Sequence, residues 1–261
     1  LKILIVSFKK IILSLVIFLI ALTVLLCSFY IIKDTMAQIE EKKLPIYCVD
    51  TKEKKIAISF DAAWGQIYTR EILDILDKYN VKTTFFLVGF WVDKHPDLVK
   101  EIYARGHEIG NHSTTHPKMS LLSKEEITKE LEITSEKIEK IIDKKPTVFR
   151  PPFGDYNNTL IETAQSLGYY TIQWDVDSLD WKEIGVEHVV DRVVKNTKNG
   201  SIVLFHNNAK YITQYLPLVL EKLQSQGYKI VPISELIYKK DYEMDSTGRQ
   251  KRINKDNKID N

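Results

Sequence analysis

Residues 11–32, IILSLVIFLIALTVLLCSFYII, run without a single charge. As a helix such a run is about 33 Å long, enough to cross a hydrocarbon core of roughly 30 Å. A mixed-charge stretch follows at 33–53, and from residue 54 the pattern becomes a repeating beat of apolar strand, turn and amphipathic helix. KKIAISFD (54–61) reads as a strand, and TREILDILDKYN (69–80) as a helix with Ile72, Leu73, Ile75 and Leu76 on one face. KTTFFLVG (82–89) is β-branched and aromatic, hence a strand. Residues 97–106 form a helix stopped by Gly106, and 107–111 a short strand. Ser123 and Glu126 match a capping box, which opens a helix reaching about Asp143. Strands then follow at 147–150, 170–175, 201–206 and 229–233, interleaved with helices at 158–168, 185–200, 215–227 and 234–240. Residues 241–261 are polar and nearly free of aliphatics, and read as a disordered tail.

Seven strands alternating with helices argue for parallel βαβ units in an α/β domain. A closed (β/α) barrel and an open doubly wound sheet both fit that pattern. The turn after the first strand, DAAWG, lacks the glycine pattern of a phosphate loop, which counts against a nucleotide-binding sheet. The chain therefore divides into a short cytoplasmic segment (1–10), a transmembrane anchor (11–32), a linker (33–53), an α/β domain (54–240) and the tail (241–261).

Charge and cysteine content narrow the classes. The formal net charge is +2, too small a field to draw nucleic acid. Cys27 lies in the apolar run and Cys48 in the linker, so no disulfide framework is implied. Lys2, Lys9 and Lys10 precede the run, which places the N-terminus in the cytoplasm and the domain outside, although Lys33, Lys42 and Lys43 reduce the asymmetry. A cleaved signal peptide is the rival reading. Its apolar core is normally shorter, and DTMAQ (34–38) is a poor cleavage site. Leu25 and Leu26 before Cys27 do not fit a lipoprotein attachment site.

Reactive side chains fall at strand ends. Asp61, His112, Arg150 and His206 each end or directly follow a strand, and DVDSLDW (175–181) follows the fifth. In parallel α/β folds these ends share one face. Each residue also has a plain structural use. Arg150 can close a strand before Pro-Pro, Asp177 and Asp180 can cap a turn, and Trp64, Trp91, Trp174 and Trp181 can fill a core. His95, His107 and His188 read as structural or solvated. His112 and His116 lie four apart in GNHSTTHP, and one helical turn between them would let both imidazoles meet one ion.

SFDAAWG, HSTTHP, RPPFGDY, DSLDW and LFH occur in the order and at about the separations of the five motifs of polysaccharide deacetylases. The chain resembles that family, the NodB-homology type or carbohydrate esterase family four, over residues 54–238. Its FDAAWG form looks like a subgroup of spore-forming bacteria named for sporulation. The resemblance implies an irregular (β/α)7 barrel that removes N-acetyl groups from amino sugars of cell-wall glycan. It assigns metal binding to His112 and His116, with a divalent cation such as Zn2+ or Co2+. Asp61 matches the general base and Arg150 the arginine that holds it. His206 matches the general acid and Asp180 its carboxylate partner. Phe153 supplies a backbone oxyanion donor, and Trp181 and Leu204 wall the acetyl pocket. One position departs from the family pattern. Ala62 stands where the usual third metal ligand is an aspartate, and a methyl group coordinates nothing. Waters filling the gap, a substitute carboxylate such as Asp177, or glycan binding without turnover are the three consequences open to such a chain.

Overall fold

The computed structural model describes residues 8–37 and 41–253. The chain divides into two compact units, Leu1–Lys42 and Lys43–Asn261. The first contains one helix, α1 (Phe8–Ala37). Its segment Lys10–Tyr30 has a mean hydropathy of 3.0 and is long and apolar enough to cross a membrane. The cytoplasmic segment expected at 1–10 lies outside the described residues up to residue 7.

The second unit is built on β2 (Lys55–Ala62), an eight-residue strand with strict two-residue alternation. Ile56, Ile58, Phe60 and Ala62 join the apolar layer beneath the helices, whereas Ala57 belongs to a separate inner cluster. Ser59 and Asp61 share the inward parity of Ala57. β2 pairs in parallel with β3 (Thr84–Leu87) and β8 (Ile202–His206), and with β9 (Lys229–Ile230) at its start. The path continues through β4 (Glu108–Asn111), β5 (Val148–Phe149) and β6 (Tyr170–Thr171) on one side and ends at β7 (Val176–Asp177) on the other. Helices α2 (Thr69–Lys78), α3 (Gly89–Lys94), α4 (Pro96–Ala104), α5 (Lys124–Ile142), α6 (Asn158–Ser166), α7 (Val186–Asn196), α8 (Ile212–Ser225) and α9 (Ile233–Leu236) connect the strands.

The run expected as one strand at 170–175 is split between β6 and β7, which lie at opposite ends of the strand order. This split reveals the curl. Seven strands laid flat would span about 29 Å, whereas the five residue steps from Thr171 to Val176 reach at most about 18 Å. The sheet must therefore bend into a partial barrel, in line with the irregular (β/α)7 expectation.

Residues 46–49, expected in the linker, bridge the gap between the edges. The Ile46 N–H donates to Thr171 O and the Gln173 N–H to Ile46 O, both at 2.8 Å, and the Val49 N–H donates to Gly200 O at 2.9 Å. A Cβ at Gly200 would stand 1.8 Å from Val49 O, so only glycine allows this approach. The tail is likewise not disordered where it is described. β10 (Tyr242–Met244) and β11 (Arg249–Arg252) form an antiparallel pair, and β11 runs parallel to β1 (Cys48–Val49). The capping box is present: Glu126 N–H donates to Ser123 Oγ at 3.3 Å, and Ser123 N–H donates to Glu126 Oε2 at 2.8 Å. α3 carries no sequence expectation, because its six residues continue directly from the apolar run of β3.

Candidate active site

Asp61 and His206 are register partners at the carboxyl ends of adjacent strands β2 and β8. Parallel pairing holds such positions about 4.8 Å apart at the backbone, so an acid and an imidazole share one edge of the curl. Arg150, at the end of β5, is completely buried and reaches across beneath them. Its Nη1 donates to Asp61 Oδ1 at 2.7 Å, and its Nη2 donates to Ser59 Oγ at 2.8 Å and Gln173 O at 3.2 Å. The guanidinium lies 4.2 Å from the centroid of the Phe86 ring. Phe86 can occupy that place because Gly110 has no side chain: a Cβ there would meet the ring at 2.5 Å. Burial alone would raise the Asp61 carboxyl, but the charge and hydrogen bond of Arg150, together with the charge of His206, outweigh it and hold the group below its ordinary value.

His206 is set the other way. Burial would lower it, yet its Nδ1–H bond to Asp180 Oδ1 at 2.7 Å and that carboxylate's charge raise it above 6.5. Asp180 Oδ2 also accepts from the His206 backbone N–H and from the Tyr215 hydroxyl, each at 2.9 Å.

The two histidines of GNHSTTHP are not spaced by a helical turn. Ser113 and His116 adopt positive φ of 68° and 59°, and the segment is an irregular loop. That loop still brings the rings to 5.0 Å. Glu130 of α5 pins it, with Oε2 accepting from the Thr114 and Thr115 N–H groups at 2.8 Å. His112 Nδ1 lies 2.7 Å from the Arg150 carbonyl, which can only accept, so Nδ1 carries the proton. Burial lowers the His112 pKa, so the ring is neutral and Nε2 presents a lone pair. That lone pair faces Asp61 Oδ2 at 3.5 Å. His116 Nδ1 is buried without a hydrogen-bond partner, and burial and His112 push its pKa down to about 4. Two unprotonated imidazole nitrogens beside a carboxylate suit a divalent cation. Ala62 is buried in the apolar layer, and among the described residues no three His, Cys, Asp or Glu side chains gather as a full cage. Asp177 does not fill the place: its Oδ1 caps a turn by accepting the Leu179 N–H at 2.8 Å.

Phe153 stands at φ 59° with its ring 4.5 Å from that of His116. Leu204 is buried on β8 with the parity of His206, and Trp181 is exposed beside Asp180. The four tryptophans part company. Trp91 is core, Trp174 is partly buried, and Trp64 and Trp181 are each 58% exposed. The sequence reading passed over Ser59, Gln173, Glu130 and Tyr215. Ser59 carried a signal, as a polar residue two before Asp61, on the same face of an otherwise apolar strand. Tyr215 carried none, because a tyrosine on an amphipathic helix reads as core.

A family profile described as polysaccharide deacetylase matches residues 49–172. A peptidoglycan-N-acetylglucosamine deacetylase of Bacillus cereus is 41% identical over 194 residues, 72% of this chain and 91% of that protein. The chain belongs to the polysaccharide deacetylase family. The peptidoglycan-N-acetylmuramic acid deacetylase PdaA of Bacillus subtilis is 33% identical, covering 79% of this chain and 80% of that one. A crystal structure of a carbohydrate esterase family four pseudoenzyme from Bacillus anthracis superposes with a TM-score of 0.72 at 36% identity, over 80% of this chain and 70% of that one. A mutant of that pseudoenzyme, described as having restored enzymatic activity, matches with the same TM-score at 37% identity.

Proposed function

We propose that this chain is a metal-dependent N-deacetylase of peptidoglycan amino sugars, held at the outer face of the cell membrane by α1. The observation that carries the reading is the pair of opposed dyads. Asp61–Arg150 is biased toward a carboxylate and His206–Asp180 toward an imidazolium, on neighbouring strands. A base and an acid tuned apart are what amide hydrolysis needs at neutral pH.

In this reading Asp61 takes a proton from the attacking water. Arg150 fixes the carboxylate and leaves Oδ2 free to do so. As the tetrahedral centre collapses, His206 gives its proton to the departing sugar nitrogen, and Asp180 stabilises the imidazolium beforehand. The Phe153 N–H steadies the developing oxyanion, while Leu204 and Trp181 enclose the acetyl methyl. His112 and His116 would hold a divalent cation such as Zn2+ or Co2+, which when bound lowers the pKa of water and polarises the acetyl carbonyl. The FDAAWG motif supports a role in spore-wall assembly.

The test is acetate release from N-acetylglucosamine oligomers and peptidoglycan by the full chain in detergent, before and after chelation and on re-addition of Zn2+ or Co2+. Release that falls on chelation and returns with metal is expected. Ala62→Asp should retain metal better and gain more thermal stability from it, because the new carboxylate is buried and needs a cation. No acetate under any metal condition would overturn the reading.

Ala62 and the pseudoenzyme relative favour a second reading, a glycan-binding protein without turnover. It requires glycan affinity indifferent to chelators and to His206→Ala. Turnover abolished by that substitution rejects it.

A further inference from the structure

The loop that carries both imidazoles holds two residues in the left-handed region, Ser113 at φ 68° and His116 at φ 59°. Neither is a glycine, so this backbone persists only where its surroundings hold it. Two helices do so. From α3, the Gly89 N–H donates to Ser113 O at 2.9 Å and the Phe90 N–H to Thr114 O at 3.3 Å. A Cβ on Gly89 would stand 2.9 Å from Thr114 Cα and 2.6 Å from Thr134 Oγ1, so the start of α3 is pressed directly onto the loop.

From α5 the hold comes from one acidic residue. Besides accepting the Thr114 and Thr115 N–H groups on Oε2, Glu130 accepts the Thr115 hydroxyl on Oε1 at 2.8 Å. Two successive N–H groups turned toward one anion form a concavity that a carboxylate fills well, and the charge strengthens both bonds. The Glu130 carbonyl accepts the Thr114 hydroxyl at 2.9 Å, and Thr134, one turn further along α5, meets that hydroxyl at 2.9 Å. Among the described residues, every hydrogen bond accepted by the Glu130 carboxylate comes from this loop. Glu130 is therefore not an ordinary solvated charge on a helix face, and it bonds to neither imidazole.

We infer that Glu130 is a positioning residue for the cation site, fixing the turn at Thr114 and Thr115 so that the His116 ring stands 5.0 Å from that of His112 before an ion arrives. Ala62 offers no ligand, so the two imidazoles carry more of the grip on the ion. If the loop had to order itself on binding, that cost would come straight off an affinity already short of one carboxylate. A loop held in advance presents both nitrogens without it. The inference rests on the deacetylase reading for the role of His112 and His116, and extends it to a residue outside the ligand pair.

The experiment measures Zn2+ binding to the chelated full chain in detergent, by competition with a chromophoric chelator, for wild type, Glu130→Gln and Glu130→Ala. The denaturation midpoint of each chelated protein is read alongside, so that affinities are compared between folded proteins. Glu130→Ala should raise the Zn2+ Kd about ten- to hundredfold, the scale of a lost supporting partner behind a metal ligand. Glu130→Gln keeps an oxygen for the two N–H groups but not the charge, and should raise the Kd by less, about threefold. A lowered midpoint with an unchanged Kd in Glu130→Ala would mean that Glu130 only stabilises the fold, and would overturn the inference. If Glu130→Ala does not fold, Glu130→Gln decides: weakened Zn2+ binding supports the inference and an unchanged Kd overturns it. If the wild type itself binds no Zn2+, the metal reading fails separately. Nuclear Overhauser contacts between the His112 and His116 rings of the chelated proteins then decide: their loss in the Glu130 variants supports positioning, and their retention overturns it.

Discussion

Asp180 accepts three hydrogen bonds, two from His206 and one from Tyr215. Its charge is the reason His206 stays above its ordinary value despite burial. Activity that needs Asp61 ionised and His206 protonated should give a bell-shaped pH profile, with His206 setting the alkaline limb. Asp180→Asn keeps an acceptor near Nδ1 but removes the charge. The His206 pKa then falls, and the alkaline limb of kcat/KM must move to lower pH. Each unit of movement leaves about tenfold less protonated acid above the limb. An unmoved alkaline limb in a kcat/KM profile would contradict the assignment of His206. At this scale much was legible in the sequence, since Asp61, His112, Arg150 and His206 announce themselves as polar residues at strand ends. Tyr215 was hidden because its hydroxyl gains meaning only when α8 packs over the turn that carries Asp180.

Among the elements, β11 was the least legible. RQKR has no apolar alternation, and its strand is held by the backbone ladder to β1 and β10 together with one fully buried side chain, Gln250. Gln250 Oε1 accepts the Tyr238 N–H at 2.7 Å, and its Nε2 donates to Tyr238 O at 2.6 Å, so an amide side chain imitates a strand neighbour. Gln250→Ala would leave both Tyr238 groups without partners and should cost about 1–3 kcal/mol, read as a lower denaturation midpoint. An unchanged midpoint would show that the clamp is dispensable. The split of 170–175 was hidden for a different reason. A β-branched and aromatic run specifies extended chain, but not which strand each half pairs with. The histidine loop was misread because four-residue spacing suggests a helical turn, whereas Ser113 and His116 reach the same juxtaposition through positive φ.

The stability of the folded unit should carry the signature of imidazoles buried neutral around the curl. His107, at the entrance to β4, is 2% exposed. Its Nδ1 accepts the Thr83 N–H at 3.2 Å, so the proton sits on Nε2, which is buried and unpartnered. Burial and the nearby Lys82 push its pKa down to about 4. A folded pKa below the unfolded value of about 6.5 means that the unfolded chain binds the proton first. The stabilisation is complete above that unfolded value and drains away as the pH falls toward 4. His112 and His116 are shifted in the same direction. His206 has the opposite sign: its contribution is full below its unfolded value and is lost as pH rises through its folded one. Asp61, held low, contributes until the pH drops into the carboxylate range, outside this window. Between pH 7 and pH 5 the three depressed imidazoles therefore dominate, and chelated protein should lose stability. His107→Asn keeps an acceptor for the Thr83 N–H and removes one titrating ring, so it should shrink that loss by roughly 2 kcal/mol, from 1.36 kcal/mol per unit over about 1.5 units. A cation on His112 and His116 competes with protons for the same nitrogens, so Zn2+-loaded protein should be more stable than chelated protein at each pH but lose at least as much over this range, because the cation's hold weakens as the pH falls. Denaturant unfolding at pH 5, 6 and 7, with and without Zn2+, measures both effects. Chelated wild type as stable at pH 5 as at pH 7 would contradict a fold that keeps these three rings neutral.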